Sequence, residues 1–133
     1  MRNRRHAALL ALLLGAGCGS IEVVQTEYAT AEEAKADGAI ARGWLPVWLP
    51  EDAKNIIEIH DVDTNESTFS FSTRQSDQIL RDAVCDPIES KQGPRLLNAA
   101  IREQLSAPGK RYGCKDYMLW RTETSLVFWR RHD

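Results

Sequence analysis

With 133 residues, 17 of them Lys or Arg against 19 Asp or Glu, the chain has room for one modest hydrophobic core and too little for two. Loss of a leader carrying Arg2, Arg4 and Arg5 leaves 14 basic residues against 19 acidic ones, a net charge of −5. Such a balance lacks the basic field that phosphate recognition needs, so no nucleic acid is expected as a partner.

The chain opens with three arginines, an apolar run from Ala7 to Leu14, and then Gly15, Ala16, Gly17 and Cys18. A cationic start, a short apolar core and small residues before a cut are the parts of an export signal, and their order matters. The run is too short for a lasting transmembrane helix, which needs roughly 20 apolar residues. The segment resembles a bacterial lipoprotein signal, with residues 1–17 removed and Cys18 carrying diacylglycerol on its sulfur. Gly15 stands where such signals usually place Leu, with Leu14 one residue further back. Ser20, where an Asp would favour the inner membrane, points to the periplasmic face of the outer membrane. Taking Cys18 for lipid leaves Cys85 and Cys114, an even number in an oxidising compartment, and a disulfide between them is expected. It would close a loop of about 30 residues and stabilise by roughly 3–4 kcal/mol in the chain-entropy account.

Residues 18–29 read as a lipidated cysteine followed by a tether or a first strand, and residues 30–133 as a single α+β domain. Thr30 and Glu33 form a capping-box pattern that predicts a helix from Ala31 to about Arg42, ended by Gly43. In Gly43-Trp44-Leu45-Pro46-Val47-Trp48-Leu49-Pro50, two prolines exclude a helix interior and a central strand, so an extended wrap over the core edge is expected. Alternating apolar residues then predict a hairpin: Ile57 and Ile59 share one strand face, Phe69 and Phe71 another. Putting both apolar faces on one side pairs Ile59 with Phe69 and His60 with Thr68. Asp63-Thr64-Asn65 is then a three-residue loop, with Asn65 in the left-handed conformation.

Helices are expected over Asp77–Val84 and from Pro94, or the residue after it, to Leu105. A last hairpin would run from Tyr112 to Arg121, turn through Thr122-Glu123-Thr124 and return from Ser125 to Arg131. It would carry Tyr117, Leu119, Val127 and Trp129 on one face and Met118, Trp120, Leu126 and Phe128 on the other. Strands apolar on both faces belong at the centre of a covered sheet. The resulting fold class is α+β, a single small domain with an antiparallel sheet of four or five strands and helices packed mainly on one face.

GWLPVWLP, followed by Ala53, Ile56, Glu58, His60, Asp61, Asp63, Thr64, Asn65 and Phe69, resembles a small family of uncharacterised bacterial exported proteins with that pattern. The resemblance implies no activity, ligand or cofactor.

Candidate chemistry therefore rests on residue types alone. Asp61 to Glu66 offers oxygen ligands at alternate positions, as calcium loops do, but Glu66 stands where such a loop turns on Gly and Ser72 where it closes on Glu. A polar turn is the simpler reading, and no metal or cofactor is expected. Glu58, His60, Ser70 and Ser72 would share the polar hairpin face, yet no GxSxG elbow accompanies them. Arg121, Arg130, Arg131 and His132 gather at the end of the chain and read as a solvated edge. Four tryptophans exceed what a small core needs, and Trp is favoured at binding hot spots. The candidate binding surface is Trp44, Trp48, His60, Asp61, Asp63 and Asn65, facing a protein, peptide or glycan.

The favoured reading is a non-enzymatic, lipid-anchored cell-envelope module, attached to the membrane through Cys18. A hydrolase or metal-dependent enzyme centred on His60, Asp61 and Asp63 is the alternative. An inhibitor or immunity-type protein acting through an acidic surface is a third.

Overall fold

The computed structural model describes residues 22–130, so Cys18, the leader, Arg131 and His132 lie outside the described residues. Seven strands form one sheet in the order β1-β2-β3-β7-β6-β5-β4, with all neighbours antiparallel. They are β1 Val23–Thr30, β2 Lys54–Asp61, β3 Ser67–Ser72, β4 Asp86–Pro87, β5 Gly109–Gly113, β6 Tyr117–Thr122 and β7 Leu126–Arg130. Three short helices accompany them: α1 Ala31–Ala36, α2 Ser76–Asp82 and α3 Ala99–Ser106.

The expected sheet of four or five strands with helices on one face is thus corrected on both counts. Val23–Thr30 is a full strand against β2. The stretch expected as one strand over Tyr112–Arg121 breaks at Cys114–Asp116 into β5 and β6, and Asp86–Pro87 adds the seventh. β5 begins at Gly109, where any side chain would collide with the Arg121 carbonyl and the Trp120 ring.

Helices cover both faces because both faces are apolar. On one, Tyr28, Ile56, Phe69, Phe71, Leu119, Leu126 and Phe128 pack under α1, the segment 37–53 and α2, whose Ile79 is buried. On the other, Ile57, Ile59, Met118, Val127 and Trp129 pack with Ile101 of α3, flanked by Ile88, Leu96, Leu97 and Leu105. The first is called the strap face below, the second the α3 face.

The helices are shorter than their apolar patterns suggest, and local chemistry shows why. Thr30 caps α1 by accepting from the Glu33 amide at 3.2 Å, and the Glu33 carboxylate reaches back to the Ala29 amide at 2.9 Å. Gly38, at φ +82°, ends it in a Schellman closure in which Gly38 N donates to Lys35 O and Ala39 N to Ala34 O. Helix α3 waits for Asn98, whose side chain accepts from the Ile101 amide at 2.9 Å, rather than starting at Pro94.

Both hairpin registers differ from expectation by one residue. In β2–β3, Glu58 stands opposite Phe69, Ile59 opposite Thr68 and His60 opposite Ser67. The loop holds four residues, Val62 to Asn65: Asp61 N donates to Glu66 O and Asn65 N to Asp61 O, both at 3.0 Å. Asp61 Oδ1 accepts from the Asp63 and Thr64 amides at 2.8 and 3.2 Å, and Asn65 takes φ +59°. An even loop in place of an odd one slips the pairing by one and turns every β2 side chain to the other face relative to β3. In β6–β7 the same happens: Leu119 pairs with Phe128 and Trp120 with Val127. Leu119, Leu126 and Phe128 therefore share the strap face, while Met118, Trp120, Val127 and Trp129 share the other.

Candidate functional site

The register slip builds the site. With Phe69 and Phe71 committed to the strap face, Glu58 and His60 of β2 must enter the same layer while Ile57 and Ile59 pack under α3. Glu58 is 0% exposed and His60 5%. The burial of two isoleucines, about 1.5–3 kcal/mol each, offsets the polar pair only if that pair is satisfied and uncharged.

It is paired. His60 Nδ1 and Glu58 Oε1 lie 2.7 Å apart. Burial pushes the Glu58 carboxyl up to about 8, only partly opposed by the Arg42 charge. His60 is pushed below its ordinary value by burial and then by Arg42, with Asp61 pulling the other way. At neutral pH the pair therefore holds one proton, donated by the Glu58 carboxyl to the imidazole Nδ1. Glu58 Oε2 and His60 Nε2 are buried without a hydrogen-bond partner among the described residues.

The lid over this pair comes from the strap, residues 43–53. Gly43 at φ +76° turns the chain out of the coil that follows α1, and the Trp44 and Leu45 amides donate to Ala39 O at 3.0 and 3.2 Å. Pro46 and Pro50 each accept three residues on, from Leu49 and Ala53, so the strap is two tight turns rather than an extended wrap. Leu45, Leu49 and Ala53 point into the core, and Val47, 87% exposed, points away from it.

Trp44 stacks on His60 with ring centroids 4.1 Å apart and planes 26° apart. The Arg42 guanidinium carbon lies 4.1 Å from the Trp44 ring, which makes a column of cation, indole and imidazole. Arg42 also meets Asp37 at 3.5 Å, and Tyr28 donates to the same Asp37 oxygen at 2.6 Å. Burial and the Asp37 contact push the Tyr28 hydroxyl up to about 12. Trp48 sits over the aromatic cluster, 5.2 Å from Phe128 and 6.3 Å from both Phe69 and Tyr117.

The structure thus brings Trp44 and His60 together, with Glu58 and Arg42, and keeps Asp61, Asp63 and Asn65 apart from them. Asp61 is the next residue on β2 and faces the opposite side of the sheet, where its carboxylate caps the hairpin loop. The Asp63 amide, then burial against it and the Thr64 amide, leave that carboxyl below its ordinary value. Asp63 and Asn65 are exposed in the loop. Ser70 lies on the α3 face, opposite Ile57 across the strand pair, and so does not share a surface with His60. No group of three or more His, Cys, Asp or Glu able to hold a metal occurs among the described residues. Trp120 is half-buried beside Arg111, and Trp129 is buried.

Arg42 is the member that sequence reasoning missed, and Glu58 was read only as sharing a polar hairpin face with His60. The signal for Glu58 was its i, i+2 spacing from His60, which puts both on one strand face; that the face is buried depended on the register. Cys85 and Cys114 come together as a disulfide-capable pair with Cα atoms 4.0 Å apart, where the segment after α2 meets the turn between β5 and β6.

No curated protein and no solved structure matches the chain. Residues 22–72 are similar to the YbbD head domain family, a span that runs from the start of β1 to the end of β3 and holds the whole strap and the Glu58–His60 pair.

Proposed function

We propose that this chain is a non-enzymatic binding module of the cell envelope, held at the membrane by acylated Cys18, and that its working surface is the outer side of the strap. The observation that carries this reading is the division of labour within residues 43–53. Their inner side seals an acid–histidine pair away from solvent, and their outer side holds Val47 almost fully exposed between two prolines. His60 is buried beneath Trp44, and His60, Asp61 and Asp63 do not converge, which counts against a hydrolytic centre.

A side chain held out on a proline-flanked turn loses little conformational freedom on binding, which suits a recognition contact. Beside Val47 lies a shallow groove of about 270 Å³, lined by Ile40, Pro46, Trp48, Asp116 and Tyr117. An apolar side chain of a protein or peptide partner, followed by a basic group, fits that lining.

Replacing Val47 with a photoreactive residue in the full chain should give a crosslinked product of defined mass in envelope extracts, lost when Trp48 is also changed to Ala. Crosslinking that is absent, or as strong from exposed Glu51, would overturn the surface. Intact mass of the membrane-extracted chain, with and without reductant, checks the anchor and the cysteine pair together. A start at Cys18 with added acyl chains and one reducible bond is expected; an unacylated mass would overturn the anchoring.

A further inference from the structure

The two edges of the sheet are treated differently. Strand β4 is two residues long and carries Pro87, a blunted edge that another strand cannot extend. Strand β1 is eight residues long, contains neither Pro nor Lys, and pairs with β2 in an unbroken register from Val23 opposite Asp61 to Tyr28 opposite Ile56. No strand lies beyond it among the described residues, and Val23, Gln25, Glu27 and Ala29 are all exposed.

Two hydrogen bonds fix which backbone groups point outward. The Glu22 carbonyl accepts from the Val62 amide, so even-numbered residues of this strand face β2. The Ala29 amide points away from β2 and is already taken by the Glu33 carboxylate. Among the described residues, the outward donors without a partner are therefore those of Val23, Gln25 and Glu27, a segment symmetric about Gln25. A twofold axis at Gln25 lets all of them pair with themselves.

We propose that β1 is a dimerisation edge, at which two copies of this chain pair antiparallel with Gln25 opposite Gln25 and Val23 opposite Glu27. That register forms about six backbone hydrogen bonds across the edge. It places no like charges opposite one another; pairing centred on Glu27 would set two carboxylates face to face. Pairing centred on Thr26 would call on the occupied Ala29 amide. The side chains agree. Val23, 42% exposed, comes opposite Glu27 of the second copy, and Glu27 and Ala29 line a groove of about 450 Å³ against Ala100 and Gln104 of α3. The exposed valine of each copy thus stands at the mouth of the other's groove, so the contact is self-complementary, as a twofold interface must be.

The test uses the full chain carrying Gln25→Cys or Thr26→Cys, oxidised mildly in the envelope, with the unsubstituted chain as baseline. Gln25→Cys should give a reductant-sensitive homodimer at least about ten-fold above Thr26→Cys, because only the residue on the axis has its partner within disulfide reach. No homodimer at position 25, equal yields at the two positions, or capture of a different protein by Cys at 25 would each overturn the proposal. Gln25→Pro removes an outward amide and leaves the β1–β2 bonds intact. It should abolish amine-directed crosslinking of two copies while the unfolding midpoint stays close to that of the parent. Unchanged crosslinking in a folded Gln25→Pro chain would also overturn it.

Discussion

In β6–β7 a slip of one residue exchanges one apolar face for another, whereas in β2–β3 the same slip carries an acid and a histidine into the core. The first exchange is neutral, since Leu119, Leu126 and Phe128 on one side and Met118, Val127 and Trp129 on the other are all buried. The second has to be compensated, and the Glu58–His60 bond together with the Trp44 lid does so. Where both faces of a sheet are covered, hydrophobic patterning no longer chooses the register, and turn chemistry chooses it instead. Asp61 supplies the acceptors of a four-residue loop. The Thr122 hydroxyl accepts from the Thr124 and Ser125 amides at 3.3 and 3.0 Å and fastens a two-residue connection.

The largest test of this contrast lies where the two hairpins meet. Phe128 of β7 stacks on Phe69 at 5.1 Å and on Phe71 at 5.9 Å, and Phe128→Ala should cost about 3–5 kcal/mol in urea unfolding. His60→Ala should cost less, about 1–3 kcal/mol, because the orphaned Glu58 carboxyl is neutral rather than a buried charge. If His60→Ala cost as much as Phe128→Ala, the pair would be an ion pair and the contrast between the hairpins would fail.

The pair also makes a pH signature that the apolar hairpin lacks. Folding raises Glu58 from 4.5 to about 8, so its proton-linked stabilisation is complete below 4.5 and is lost as pH rises through 8. His60 is lowered from 6.5, so the native chain binds fewer protons there below 6.5 and stability gains with pH in that range. The two slopes oppose one another below 6.5, and only the Glu58 slope remains above it. Stability should therefore fall between 6.5 and 8, by up to about 1.4 kcal/mol per pH unit. Glu58→Gln, which keeps a donor for His60, should flatten that fall. A parent curve that stays flat between 6.5 and 8 would show that Glu58 is already ionised in the fold at those pH values.

How much of this was legible in the sequence follows the same division. The capping box at Thr30 and Glu33, the left-handed Asn65 and the central place of the last two strands are local chemistry, and they stand where the residues pointed. The strand count was missed because Gly109–Gly113 has little apolar pattern and because the break at Cys114–Asp116 lies inside a run that reads as one strand. The site was missed for a non-local reason. Glu58 and His60 are polar, and their burial follows from a loop four residues long that commits Phe69 and Phe71 to the same face. The pairing of Arg42 with Trp44 likewise depends on the turn at Gly43.

The smallest expected effects are at the loop itself, and they bear most directly on what chooses the register. Asp61→Ala removes the acceptor of two amides and should cost about 1–2 kcal/mol without changing the fold, since β3 still has β7 on its other side. At Asn65, φ +59° is a conformation that a β-branched side chain resists. Asn65→Val should cost about 1 kcal/mol, while Asn65→Gly should be neutral within a few tenths. The sharper measurement is hydrogen exchange of the β2 amides in Asp61→Ala. If the loop chooses the register, protection should fall along the β2–β3 ladder as even and odd pairings begin to compete, while the β6–β7 ladder stays protected. Equal loss in both hairpins would mean that packing on the strap face, and not Asp61, holds Glu58 opposite Phe69.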